Sequence, residues 1–210
     1  MRNGLFGILL ACFLAVPAHA ADVTAPDVLA KTVTEEVLAI LRADKDIQDG
    51  DLGKAAELIE TKIAPHFNFP TMTRLAMGKN WAQARPEQRQ ALTSEFRTLL
   101  VRTYTASLTL YRDQTIDYRP LKLTPNDTDV IVKSVVRQAR GEPISVDYAM
   151  EKTERGWKVY DVKIAGISLV ENYRTTFSAE IERSGVDGLI KALADKNRTH
   201  TGKNKAMVQS

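Results

Sequence analysis

From Pro86 to Tyr111 the large apolar side chains fall at Leu92, Phe96, Leu99, Leu100, Tyr104, Leu108 and Tyr111. Spacings of three and four stack them on one side of a helix with 3.6 residues per turn. Pro86 suits the first turn, where its missing N–H is no loss, and Glu87 complements the positive end of the helix dipole. The stripe is about five turns long. That is more than one neighbouring helix needs, so a sheet, or a sheet and a ligand, is expected against it.

The same period predicts a helix from Pro26 to about Arg42, with Leu29, Val33, Val37, Ile40 and Leu41 on one face. Asp44 to Gly53 is polar and reads as a loop. Leu52, Ala55, Ala56, Ile59 and Ile63 then mark a second helix that Pro65 must stop. Pro65-His66-Phe67-Asn68-Phe69-Pro70 is a stiff corner, with Asn68 a cap for a short helix that ends at Gly78.

Beyond the long helix the period changes to two. Ile116 and Tyr118 mark an edge strand before Pro120, and Thr124-Pro125-Asn126-Asp127 is turn chemistry. A β-branched strand follows from Asp129 to Ala139, then a third carrying Ile144, Val146, Tyr148 and Met150. Glu154-Arg155-Gly156 turns into a fourth, whose alternation puts Trp157, Val159 and Asp161 on one side and Tyr160, Val162 and Ile164 on the other. Ser168 with Glu171 forms a capping box for a helix ending before Gly185, and Asp187 caps a last one. The fold class is therefore α+β, a four-stranded antiparallel twisted sheet wrapped by six to seven helices. Residues 198–210 are polar and basic and read as a disordered tail.

Composition changes this picture little, with 44% apolar and 26% charged residues indicating one ordinary globular domain over 21–197. The first twenty residues stand apart. Arg2, the apolar run Leu5 to Val16 and the small-residue site Ala18-His19-Ala20 spell an export signal, with the mature chain starting at Ala21. Leu9-Leu10-Ala11-Cys12 loosely fits a lipoprotein box, but the apolar run continues past it to a better site. Cys12 is the only cysteine, so a mature chain has neither disulfides nor thiol chemistry. Those features point to a bacterial periplasm.

The 29 Lys and Arg stand against 26 Asp and Glu, and Arg2 leaves with the signal, so net charge gives no pull toward nucleic acid. His66 is the one histidine outside the signal and the tail. The chain shows no phosphate loop, zinc motif or nucleophile elbow, so neither a metal site nor a catalytic residue is assigned. Asp161 is a candidate buried carboxylate, expected to meet Lys158, Lys163 or an arginine. Arg97, Arg102 and Arg174 could gather at a pocket mouth and meet an anionic head group or a partner, or could be solvated helix faces.

Several blocks in order carry a family resemblance. They are Phe67-Asn68-Phe69-Pro70-Thr71-Met72-Thr73-Arg74-Leu75-Ala76-Met77-Gly78-Lys79-Asn80-Trp81, Glu95-Phe96-Arg97-Thr98-Leu99-Leu100, Gly156-Trp157-Lys158-Val159-Tyr160-Asp161-Val162 and Gly166-Ile167-Ser168-Leu169-Val170-Glu171-Asn172-Tyr173-Arg174. The chain resembles the MlaC or toluene-tolerance (Ttg2-type) family of periplasmic phospholipid carriers, with Asn68 standing where that family leads one to expect aspartate. The resemblance implies helices wrapped on a twisted sheet around a deep apolar cavity. It also implies a soluble, monomeric shuttle that keeps outer-membrane lipid asymmetry. Its implied partners are an outer-membrane lipoprotein–porin complex and an inner-membrane ABC transporter with a lipid-binding substrate domain. The cargo is a diacyl phospholipid, and no cofactor is implied.

Exposing both acyl chains to water costs about 0.8 kcal/mol per CH₂, roughly 25 kcal/mol for about thirty methylenes. A carrier needs only to replace bilayer by an oily cavity. The tails are expected between the long helix and the sheet, against Met72, Leu75, Trp81, Phe96, Leu100, Tyr104, Val132, Tyr148, Val159, Leu169 and Tyr173. Every one of these could equally be plain core. The alternative is a cone-shaped α+β enzyme, ketosteroid-isomerase-like, using Asp161 or His66 as a base on a small apolar substrate.

Overall fold

The structure, a computed structural model, describes residues 24–138 and 141–208, with side chains through Thr199. The expected export signal, residues 1–20, lies outside the described residues. Among the described residues six α-helices and one sheet make the fold: α1 (Pro26–Ala43), α2 (Lys45–Gln48), α3 (Leu52–Leu58), α4 (Phe69–Met77), α5 (Pro86–Thr109), β1 (Thr115–Tyr118), β2 (Asp129–Arg137), β3 (Ile144–Thr153), β4 (Gly156–Ile164), β5 (Ile167–Ser168) and α6 (Leu169–Val208).

The helix starts follow the capping chemistry. Asn68 Oδ1 accepts from the Thr71 amide at 3.2 Å and begins α4, while Pro86 at the start of α5 loses no hydrogen bond. The loop expected after α1 contains one helical turn, α2, because Asp44 accepts from the amides of Asp46 and Ile47. Past α3 the chain does not stay α-helical to Pro65. It widens into a π-helical turn over Ile59–Ile63 and tightens into a 3₁₀ turn over Ala64–His66. Segments of this kind are frequent at functional sites.

The sheet has five strands, not four, in the order β1-β2-β3-β4-β5 with every neighbour antiparallel. The fifth is two residues long. Ala165 and Gly166 both take positive φ, 50° and 82°, the backbone of a two-residue hairpin, so the chain pairs Ile167 with Ile164 before α6 begins.

A second correction lies in β4. Ala149 pairs with Asp161 but Met150 pairs with Val159, which leaves Tyr160 as the extra residue of a β-bulge. The simple alternation read from the sequence therefore breaks there. Val159 and Val162 end on the same side of the strand, with Tyr160 and Asp161 turned away between them.

α6 is two helical segments that meet at Gly185, whose φ of 71° and ψ of −178° no helix contains. The break falls between the two helices that the sequence predicts. The helical backbone then continues to Val208, where a disordered tail was expected from 198. Packed side chains fill the space between α4, α5 and α6. Phe96 meets Tyr173 and Phe177 edge-on at 4.9 and 5.1 Å, and Met72, Met77, Leu92, Leu99 and Leu189 surround them, fully buried.

Candidate functional site

On the other side of α5 the interior is open. Two apolar pockets lie between the helices and the sheet, one of about 220 Å³ and one of about 710 Å³. They share Ile63, Phe67, Tyr104, Leu108, Val146, Tyr148 and Ile164 and so read as two arms of one cavity. The smaller arm runs toward Met72, Leu100 and Leu169. The larger arm runs beneath α1, against Leu29, Val33, Val37 and Leu41, and along β3 from Ile144 to Met150.

Each wall has a local cause. The π-helical turn presents Ile59, Ile63 and Ala64. The bulge in β4 brings Val159 and Val162 to the same cavity, together with Ile164. α1 is held across the larger arm by Tyr118 of β1, whose hydroxyl lies 2.6 Å from Thr34 Oγ1 and donates to the Ala30 carbonyl at 3.2 Å. Tyr118 stacks on Tyr148 with ring centroids 6.4 Å apart. Burial pushes the phenol pKa values of Tyr104 and Tyr148 in the cavity wall, and of Tyr118 behind it, upward, so these groups are neutral.

Six of the eleven expected side chains line this cavity: Met72, Leu100, Tyr104, Tyr148, Val159 and Leu169. The other five do not. Leu75, Phe96 and Tyr173 belong to the filled interface of α4, α5 and α6. Trp81 packs on that interface too, under the Arg89 guanidinium at 5.1 Å. Val132 is closed over by Met150, Trp157 and Val159.

The three expected head-group arginines are spread apart. Arg97 donates from its two terminal guanidinium nitrogens to the Glu60 carboxylate and lies 5.4 Å over the Phe69 ring. Arg102 donates to the Asn197 carbonyl, and Arg174 Nε donates to the Leu75 carbonyl at 2.9 Å. Among the described residues they tie helices together rather than line either pocket.

Asp161 is not paired with a lysine or arginine as expected. Its carboxylate accepts from the Ser168 hydroxyl at 2.6 Å and from the Val162 and Val170 amides at 2.9 and 3.0 Å, while Ser168 Oγ accepts from the Glu171 amide at 3.0 Å. Aspartate and serine together cap α6, and the carboxylate faces that helix instead of the cavity. His66 does reach the wall of the larger arm. Burial holds its pKa below the ordinary 6.5, the Lys158 charge pushes the same way and Glu36 opposes them. No cluster of three or more potential metal-ligating side chains occurs among the described residues, and no helix there is long and apolar enough to cross a membrane.

Residues 31–195 match the family model described as MlaC protein. The chain belongs to the MlaC family. A relative from Haemophilus influenzae, the intermembrane phospholipid transport system binding protein MlaC, is 24% identical over 188 residues, covering 88% of this chain and 87% of that protein. The toluene tolerance protein ttg2D of Pseudomonas putida is 25% identical over 188 residues, covering 89% of this chain and 85% of its own length. A solved phospholipid-binding protein from Ralstonia solanacearum, in complex with a phospholipid, superposes with a TM-score of 0.76 at 41% identity, covering 82% of this chain and 97% of that one.

Of the residues that the sequence reading missed, Leu108, Val146 and Ile164 lie on elements it placed correctly, whereas Ile59 and Ile63 lie on the unforeseen π-helical turn and Phe67 in the corner beyond it. A signal was present for one of them. Phe67 stands in a rigid corner between two prolines, a poor place for a filler residue.

Proposed function

We propose that this protein is a periplasmic phospholipid carrier that holds the acyl chains of its cargo in the cavity between α5, α1 and the sheet. The observation that supports it is the cavity itself, about 710 Å³ in the larger arm and walled by hydrocarbon over most of its surface. Water gains little from such a surface, so an acyl chain is its natural occupant. From Ile144 to Met150 the arm follows β3 for about 20 Å. An acyl chain spans half a bilayer's hydrocarbon core, about 15 Å.

Leu110, Ile144 and Ile164 are exposed at one end of the larger arm and make that end its mouth, leaving the head group outside. Transfer then needs no bond chemistry, and Asp161 serves the fold. The carrier would receive and deliver its lipid at an outer-membrane lipoprotein–porin complex and an inner-membrane ABC transporter. Handing over a tail without wetting it removes a barrier of tens of kcal/mol.

Native mass spectrometry of the purified protein, followed by lipid extraction, tests this. A mass increment equal to a diacyl phospholipid is expected, and Leu108→Glu should lose it while keeping the circular dichroism of the parent. Empty wild-type protein, or full occupancy in a folded Leu108→Glu variant, would sink the proposal.

A further inference from the structure

We infer that Phe67 is the end-stop of the cavity and sets the length of acyl chain the protein accepts. The inference rests on the carrier reading above and adds a specificity-determining residue to it. Phe67 lines both arms of the apolar cavity and also a third pocket, a polar cleft of about 350 Å³ shared with Arg155 and Lys158. One ring therefore separates an oily space from a charged one. The mouth lies at the opposite end of β3 and β4, so a chain entering there points its methyl end at Phe67.

The ring is mounted on a fixed backbone. Phe67 forms a parallel bridge to Val159, and the Asn68 N–H donates to the Val159 carbonyl at 2.8 Å. The Asn68 side chain is held at both ends, its amide donating to Glu151 at 2.7 Å and its oxygen accepting from Thr71. Phe69 stacks alongside, 6.0 Å between centroids. A chain longer than the arm would have to push methylenes past this wall toward Glu154, Arg155 and Lys158, where they would displace water from three charged groups. A shorter chain would leave empty space beneath the ring and lose its contacts.

The test is competition loading of the full-length protein. Wild type and the variants Phe67→Ala, Phe67→Leu and Phe67→Trp are incubated with vesicles holding equal amounts of short-, medium- and long-chain diacyl phosphatidylglycerol. The bound lipid is then extracted and its chain lengths counted by mass spectrometry. Since one methylene in an apolar pocket is worth about tenfold or more in discrimination, Phe67→Ala should enrich the long chain by about tenfold and Phe67→Trp the short one.

Phe67→Leu should shift the profile the same way as alanine, by less, and decides the matter if alanine fails to fold. Identical profiles in loaded wild type, leucine and tryptophan variants would overturn the end-stop while leaving the carrier intact. Wild type that takes up no lipid of any length would overturn the carrier reading itself.

Discussion

The two sides of α5 are made of the same kinds of residue and differ in what occupies the space between them. Toward α4 and α6, Phe96, Tyr173 and Phe177 interlock as tilted rings and the neighbouring methionines and leucines are sealed from solvent. Toward α1 and the sheet, Tyr104, Leu108, Val146 and Tyr148 remain half-buried and line open apolar space on one side. Apolar character alone does not tell a core from a container. The number of opposing walls that meet does, and that is decided by elements far apart in the chain.

Truncation should separate the two sides most strongly. Phe96→Ala removes a ring from a filled space and is expected to cost about 3–5 kcal/mol in urea unfolding. Leu108→Ala enlarges a space already open and should cost under about 1 kcal/mol in lipid-free protein. Equal losses at the two positions would mean that the cavity is packed like the core.

A smaller effect probes the wall that carries Phe67. Asn68→Asp keeps the cap on Thr71 but faces a second carboxylate toward Glu151, where the amide now donates. The expected loss is about 1 kcal/mol at neutral pH. It should shrink as pH falls through the carboxylate range, because the facing acids raise each other's affinity for a proton. A loss independent of pH would show that the two side chains do not meet. Where relatives carry aspartate at this place, the facing position should not be acidic.

The smallest effect is a pH slope. His66 has a lower pKa folded than unfolded, chiefly through burial, so the unfolded chain binds its proton first as pH drops. Its neutral form is accommodated without penalty well above 6.5, and stability falls on acidification through and below that value. Thermal melts between neutral and mildly acid pH should show a slope that His66→Gln reduces. An unchanged slope would place the imidazole in water.

How much of this was legible in the sequence follows from the range of each cause. Helices α1, α4 and α5 and strands β1 to β4 were readable because their signals are local: Pro86, the Asn68 and Ser168 caps, and periods of two and 3.6. The bulge was not, because Tyr160 looks like any aromatic strand residue and only the register against β3 exposes it. Lining and core were not separable either. Leu100 and Phe96 share one stripe of α5 and one buried cluster, yet only Leu100 also lines the cavity, and no periodicity within the helix records where a neighbour leaves room. The helix-tying bonds of the arginines were hidden for the same reason, since Glu60, Asn197 and Leu75 are distant from them in sequence.

The additional residue in β4 lets one strand do what ordinarily takes two. Where a regular strand would offer a single outward side chain, this one offers a phenol that crosses to Asp129 at the far side of β3 and a carboxylate that grips the start of α6. Deleting Tyr160 would keep Val159 and Val162 on their present side, because the alternation on either flank is already in step. It would cut the cross-brace to Asp129 and leave Asp161 to serve as the lone outward group. A miscount of one thereby gives the sheet both its cross-brace and its grip on the closing helix.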